Sequence, residues 1–345
     1  MTFKFQDDPA APGTGGPVGK YGRLQVDGCK IKDKNNEPVS LAGVSFFSSC
    51  FKCGADFYDR KCVRWLKKDW NAFIVRVALN LWEGDWNLKN PQENLDRAVR
   101  VIDAAIEADI YVLIDWHDHY ANNHEPCAIE FFDLISKRYA SFDHVVYEIF
   151  NEPMGSIESQ GTIGLDWRKQ IKPYSERVIA TIRHNDPEKL IVVGTPNWSQ
   201  HVDVAAEDPI TDINVAYALH FYADAHEDHA PAIQAMKNGK ALFVTEWGTC
   251  WHDGHGEPNV KSTLGWMEFL KTHAISHCNW AVANQNHWSL TRDRAQGATR
   301  GRVCKGASIL APDVSKLDNW GQSDLSDSGQ LVKDIIYKWP NNYVS

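Results

Sequence analysis

Eight short apolar runs, each long enough for one strand and each followed by a longer polar or amphipathic stretch, constrain the fold of this 345-residue chain more than any other feature. They are Leu41–Ser45, Phe73–Leu79, Tyr111–Asp115, Val145–Phe150, Leu190–Gly194, Val215–Phe221, Ala241–Thr245 and His277–Val282. Strands without polar alternation are covered on both faces, which is the condition of a parallel sheet. Between them, Leu95, Ala98, Val99, Ile102 and Ile106 recur at helical spacing, as do Ile171, Tyr174, Val178, Ile179 and Ile182. Further helices are expected around Cys127 to Tyr139 and Leu331 to Tyr337. A β-α rhythm repeated in this way predicts an α/β fold, a closed (β/α)8 TIM barrel, and the chain length suits one such domain. An open doubly wound sheet is the competing arrangement, but no Gly-x-Gly-x-x-Gly turn follows the first strand. Residues 1–22, Gly- and Pro-rich from Asp7 onward, have the composition of a flexible tail or linker, which leaves 23–345 as the single barrel domain.

Composition narrows the function classes. The formal net charge of -9, from 45 acidic and 36 basic residues, argues against nucleic acid as a partner. No apolar run approaches the roughly 20 residues that a bilayer span needs, so no membrane association is expected. Met1 to Gly19 lacks the apolar core of a signal peptide, so the chain is either intracellular or has lost its signal. The eight cysteines, Cys29, Cys50, Cys53, Cys62, Cys127, Cys250, Cys278 and Cys304, are an even number and several lie in connections. Disulfides are expected, with buried thiols as the alternative. Cys50-Phe51-Lys52-Cys53 has the spacing of a zinc half-site without a second half, and no metal or other cofactor is expected. Tryptophan is abundant, at 14 residues; aromatic faces stack on sugar rings, although packing is the commoner use of so large a side chain.

Chemistry-bearing residues gather at one end of the runs. Arg76 lies on the second, His117 follows the third, Asn151 and Glu152 follow the fourth, His220 and Tyr222 end the sixth, Glu246 ends the seventh and Trp280 lies on the eighth. Each alone has a structural explanation as a buried ion pair, core histidine or packing residue. Recurrence at the C-terminal ends of successive strands is what points to a site, because barrel active sites collect there. Two glutamates so placed, Glu152 and Glu246, form the carboxylate pair that glycosidic bond cleavage requires. His117-Asp118-His119 also admits a metal reading, which lacks a third ligand. Glu130 and Glu268 read as helix-surface charges.

Several stretches together resemble glycoside hydrolase family 5, in the branch of secreted β-1,4-endoglucanases of bacteria and plant-parasitic nematodes. They are Ile114-Asp115-Trp116-His117, Val146 to Pro153, Ile171 to Glu176, Gly194 to Gln200, Leu219 to Ala223, Phe243 to Gly248 and Asn279-Trp280-Ala281. The resemblance implies a retaining mechanism with Glu152 as acid/base and Glu246 as nucleophile. It places Arg76 and Tyr222 beside the nucleophile, supplying charge and hydrogen bonding, while a less compensated Glu152 holds its proton near neutral pH. It implies that Asn151 binds the sugar 2-hydroxyl, that His117 and His220 line the cleft, and that Trp280 and Trp198 are stacking platforms on opposite sides of the cut.

The expected substrate is a β-1,4-glucan, cut internally by a secreted, monomeric enzyme. A mannanase or glucomannanase of the same family is the first alternative, because glucose and mannose differ only at the 2-hydroxyl. A non-catalytic carbohydrate-binding barrel is the second. The sequence departs from the branch after Trp280, where Ala283-Asn284-Gln285-Asn286-His287-Trp288 replaces a charged glycone-binding run, and in Phe46 to Lys61, where Phe47 and Phe51 stand for His or Trp.

Overall fold

The computed structural model describes residues 3–80, 91–157, 161–284 and 307–339. Its centre is a closed barrel of eight strands, every neighbouring pair parallel. A hairpin of β1 (Gln25–Asp27) and β2 (Lys30–Lys32) precedes it. The barrel strands are β3 (Ala42–Phe46), β4 (Ile74–Leu79), β5 (Tyr111–Trp116), β6 (Val145–Glu148), β7 (Ile191–Val193), β8 (Val215–Tyr222), β9 (Leu242–Gly248) and β10 (Ser276–Val282). These are the eight apolar runs, with ends displaced by a few residues. All their residues are buried, because helices cover the outer face and neighbouring strands fill the inner one.

Helices Arg60–Trp70, Pro91–Glu107, Glu125–Tyr139, Lys172–Asn185 and Val260–Thr272 press their apolar faces onto the barrel. A last helix, Asp327–Lys338, contains the expected Leu331–Tyr337 turn. Glu130 and Glu268 lie exposed on two of these helices. The lower barrel interior is packed by Ile74, Tyr111, Leu113, Val192 and Phe243, and the hairpin region closes that end with Leu24 and Ile31. The bottom is therefore sealed by apolar contact, and polar chemistry is left to the C-terminal mouth.

Two register shifts on β9 re-aim side chains near that mouth. Between Phe243 and Glu246 of β9, three steps match two on β8, from Ala218 to His220; between Val244 and Trp247, three steps again match two on β10. β9 thus carries an extra residue around Thr245–Glu246, a bulge that lets two consecutive side chains point inward.

Two expectations meet different facts. Residues 3–22 are docked rather than trailing: Phe3 and Val18 are buried, Gly13 donates to the Ile106 carbonyl and Gly16 to the Asp109 carboxylate. The glycines that give this segment its linker composition are needed for close approach, since a Cβ at Gly13 would lie 2.0 Å from the Glu107 carbonyl oxygen and one at Gly16 2.1 Å from that of Asp109. The disulfide expectation is also not met among the described residues at Cys29, Cys50, Cys53, Cys62, Cys127 and Cys278, which are free thiols. Several of these cysteines pack as small apolar residues in the core; Cys304 lies outside the described residues.

Candidate active site

Arg76 is the hub of the mouth. It sits in the middle of β4, fully buried, and its guanidinium spans the barrel interior. Nε donates to Glu148 Oε2 at 2.7 Å, one terminal nitrogen to Glu246 Oε2 at 3.1 Å and Ser45 Oγ at 3.3 Å, and the other to Asn151 Oδ1 at 2.6 Å, with Asp115 Oδ2 in ion-pair contact at 2.8 Å. Burial alone would favour the neutral guanidine, but Asp115, Glu148 and Glu246 around it hold Arg76 charged, well above its ordinary value. A buried arginine needs such company to offset its desolvation.

Glu246, on the β9 bulge, is gripped on both oxygens. Tyr222 at the end of β8 donates its hydroxyl to Oε1 at 2.7 Å while Arg76 takes Oε2. Glu152 follows β6 in the loop Asn151–Gly155. His220 Nδ1 lies 2.9 Å from its Oε1, and His119 Nδ1 is 3.5 Å from its Oε2. Atoms of Glu152, His220 and Glu246 face one another, all within 4.8 Å. Proximity of this kind also suits a metal, yet here each group already has hydrogen-bond partners among its neighbours.

The charge state of Glu152 differs from the sequence expectation. Burial works against its ionisation, but the hydrogen bond and charge of His220, with His119 and His117 behind it, hold the carboxyl down at about 2. Burial likewise opposes charge on His220, and the Glu148 carboxylate 3.6 Å from its Nε2, together with the bond to Glu152, raises it to about 9. In the free protein the proton therefore rests on His220 and Glu152 is its anionic partner. The sequence reading saw Glu152 as weakly compensated because its compensating partner lies 68 residues away.

His117 stacks on Trp280, with ring centroids 5.1 Å apart and planes inclined by 11°, and its Nδ1 is 2.8 Å from Asp115 Oδ2. Burial, then the nearby Arg76 charge, lower His117 to about 3, so it is neutral. Trp280 is only 8% exposed, with Phe47 tilted against it at 5.0 Å. Trp198 stands on the other flank, half-buried in the loop after β7, donating its backbone N–H to the Pro153 carbonyl. Its ring lies over Gly155, where a Cβ would come within 2.2 Å of it. Asn151 is 1% exposed and its Nδ2 has no partner, because Arg76 requires the amide oxygen on its own side.

The structure thus brings Arg76, His117, Asn151, Glu152, His220, Tyr222, Glu246 and Trp280 to one mouth, with Trp198 on its rim beside the Glu152 loop. It adds Asp115, Glu148 and Thr245, which sequence reasoning passed over as strand residues. The available signal was an ionisable residue inside a run buried on both faces, where a charge persists only if paired. Of the divergent segment after Trp280, Gln285 to Trp288 lie outside the described residues.

A closed (β/α)8 barrel with opposed glutamates at its C-terminal mouth is the architecture of a glycoside hydrolase. The family model described as cellulase, glycosyl hydrolase family 5, matches residues 32–286. Endoglucanase Z of Dickeya dadantii is 41% identical over 320 residues, covering 92% of this chain and 67% of its own. An endoglucanase of Clostridium saccharobutylicum is 33% identical over 91% of this chain and 65% of its own, so the chain spans about two-thirds of the length of these curated relatives. Among solved structures, the catalytic domain of Thermobifida fusca endoglucanase Cel5A, in complex with cellotetraose, superposes with a TM-score of 0.80 at 28% identity, covering 93% of this chain and 99% of that one. The chain belongs to glycosyl hydrolase family 5.

Proposed function

We propose that this chain is a retaining endo-β-1,4-glucanase, hydrolysing internal β-1,4 bonds of cellulose or related β-glucans by double displacement. The observation that carries the mechanism is the close approach of the Glu152 and Glu246 carboxylates, within 4.8 Å oxygen to oxygen. It fits the roughly 5 to 5.5 Å between carboxyl groups of retaining enzymes and leaves no room for the water that an inverting pair holds across about 6.5 to 9.5 Å. Glu246, oriented by Arg76 and Tyr222, attacks the anomeric carbon. Glu152 protonates the leaving oxygen, then deprotonates the water that hydrolyses the glycosyl-enzyme. The unpartnered Nδ2 of Asn151 is a donor for the sugar 2-hydroxyl, a contact that strengthens as positive charge grows on the ring. Trp198 and Trp280 flank the cut as sugar-binding surfaces.

The glucan reading is supported by relatives that carry the endoglucanase name and by the cellotetraose bound to the Cel5A neighbour. Secretion follows from the substrate, since a polymer of cell-wall size is met outside the cell.

The test is reducing-end release from carboxymethylcellulose and, in parallel, from glucomannan, with Glu246→Gln as the control. Release from the cellulose derivative, lowered on the order of 10³-fold or more in the variant, is expected. Release from glucomannan alone would move the substrate to mannan-type chains, and release that survives Glu246→Gln would sink the assignment of the nucleophile.

A further inference from the structure

The acid/base and the nucleophile are joined by an unbroken buried chain of polar contacts. From Glu152 Oε1 it passes to His220 Nδ1 at 2.9 Å, from His220 Nε2 to Thr245 Oγ1 at 2.8 Å, and from the Thr245 hydroxyl to Glu148 Oε1 at 2.6 Å. Glu148 Oε2 then accepts from Arg76 Nε at 2.7 Å, and Arg76 reaches Glu246 at 3.1 Å. His220, Thr245, Glu148 and Arg76 are each 1% exposed or less. Thr245 can enter this chain only because the β9 bulge turns it inward beside Glu246.

Donor and acceptor identities fix the direction of every bond. Both oxygens of Glu148 accept, one from Thr245 and one from the always-charged Arg76, so Glu148 is the anionic end. The Thr245 hydroxyl spends its single proton on Glu148, which leaves its oxygen only the accepting role toward His220. His220 Nε2 must therefore carry a hydrogen. Whatever proton His220 exchanges is on Nδ1, which faces Glu152.

We propose that Thr245 and Glu148 are positioning residues that lock the Nε2–H of His220, making its Nδ1 proton the store from which the acid/base Glu152 is charged. When substrate enters and excludes water, the Nδ1–H bond breaks and a Glu152 Oε1–H bond forms, turning an ion pair into two neutral groups with no change in total charge. The glycosidic oxygen takes that proton from Glu152. The hydrolytic water returns one to Glu152 in the second step, and it passes back to Nδ1. This proposal rests on the reading of Glu152 as the acid/base.

Groups bearing on the His220–Glu152 pair come from all sides: Glu148 below it, Glu246 beside it on β9, Asp115 and Arg76 from β5 and β4, and His117 and His119 from the loop after β5. Among these only Glu148 reaches Nε2 through a hydroxyl. Thr245→Val keeps shape and removes that hydroxyl; Thr245→Ser keeps it.

Two measurements test the lock. In the pH dependence of kcat/KM, Thr245→Val should move the alkaline limb down by roughly one pH unit or more, because a hydrogen bond to the charged imidazole is lost, while Thr245→Ser keeps the limb in place. An alkaline limb that stays put in Thr245→Val overturns the proposal. In ¹⁵N spectra of the unliganded wild-type protein, His220 should carry hydrogen on both nitrogens near neutral pH and retain Nε2–H above about pH 9. A neutral His220 with its hydrogen on Nδ1 overturns it as well. The spectra need neither substrate nor activity, so they stand apart from the role of Glu152, which falls separately if Glu152→Gln remains fully active.

Discussion

At the residue scale, the determining quantity is where one proton sits. His220 is held up at about 9 from an ordinary 6.5, and Glu152 down at about 2 from 4.5. A group raised on folding stabilises the native state fully below its unfolded value and loses that contribution as pH climbs through the folded one. A depressed carboxyl contributes fully above its unfolded value and loses the contribution as pH falls toward the folded one. The pair therefore stabilises most between about pH 4.5 and 6.5 and fades from there toward about 9. The gap in urea midpoint between the wild-type protein and His220→Gln should shrink steadily from pH 6.5 to 9, and a constant gap would refute the ion pair. Tyr222→Phe keeps its ring packing but removes a donor from Glu246. It is expected to lower kcat on the order of 10²-fold in steady-state assays while leaving the melting temperature nearly unchanged. That Glu152 and Glu246 stand at strand ends was legible from Asn151-Glu152-Pro153 and Thr245-Glu246-Trp247; the proton's location was not, because it depends on partners 68 and 25 residues from His220 in sequence.

At the scale of elements, the strands were read correctly because a surface buried on both faces leaves an unmistakable apolar run. Their irregularities were not. The β9 bulge has no composition of its own, yet it decides that Thr245 and Glu246 face the same space. Close contacts between elements are equally silent in sequence. Gly43 on β3 is one case: a Cβ there would lie 1.7 Å from the Ile74 carbonyl oxygen of β4. Gly43→Ala should destabilise the barrel by about 3 kcal/mol or more in urea unfolding, through overpacking between adjacent strands. Gly155→Ala belongs to the same class with a different readout. Its methyl would displace the Trp198 ring rather than backbone, so hydrolysis of polymeric glucan should fall several-fold with KM rising more than kcat drops. Equal activity would show that Trp198 holds no sugar.

At the scale of the molecule, the docked N-terminal segment makes residues 3–22 part of the barrel's packing. Removing residues 1–22 exposes the sites of Phe3 and Val18 and strips Asp109 of its backbone donors. The loss expected is about 3 kcal/mol or more of stability, measured by denaturant midpoint, with glucan hydrolysis retained at low temperature. An unchanged midpoint would restore the flexible-tail reading. The sequence by itself determined the β-α order, the family, and which carboxylates stand at strand ends, because these are properties of local periodicity and short motifs. Tertiary structure alone decided that Arg76 gathers Asp115, Glu148 and Glu246, that six cysteines stay unpaired, and that a Gly-rich leader is packed rather than loose. Each of those depends on residues far apart in the chain meeting at a few ångströms, and the energy of burying a charge or closing a gap is set by that meeting.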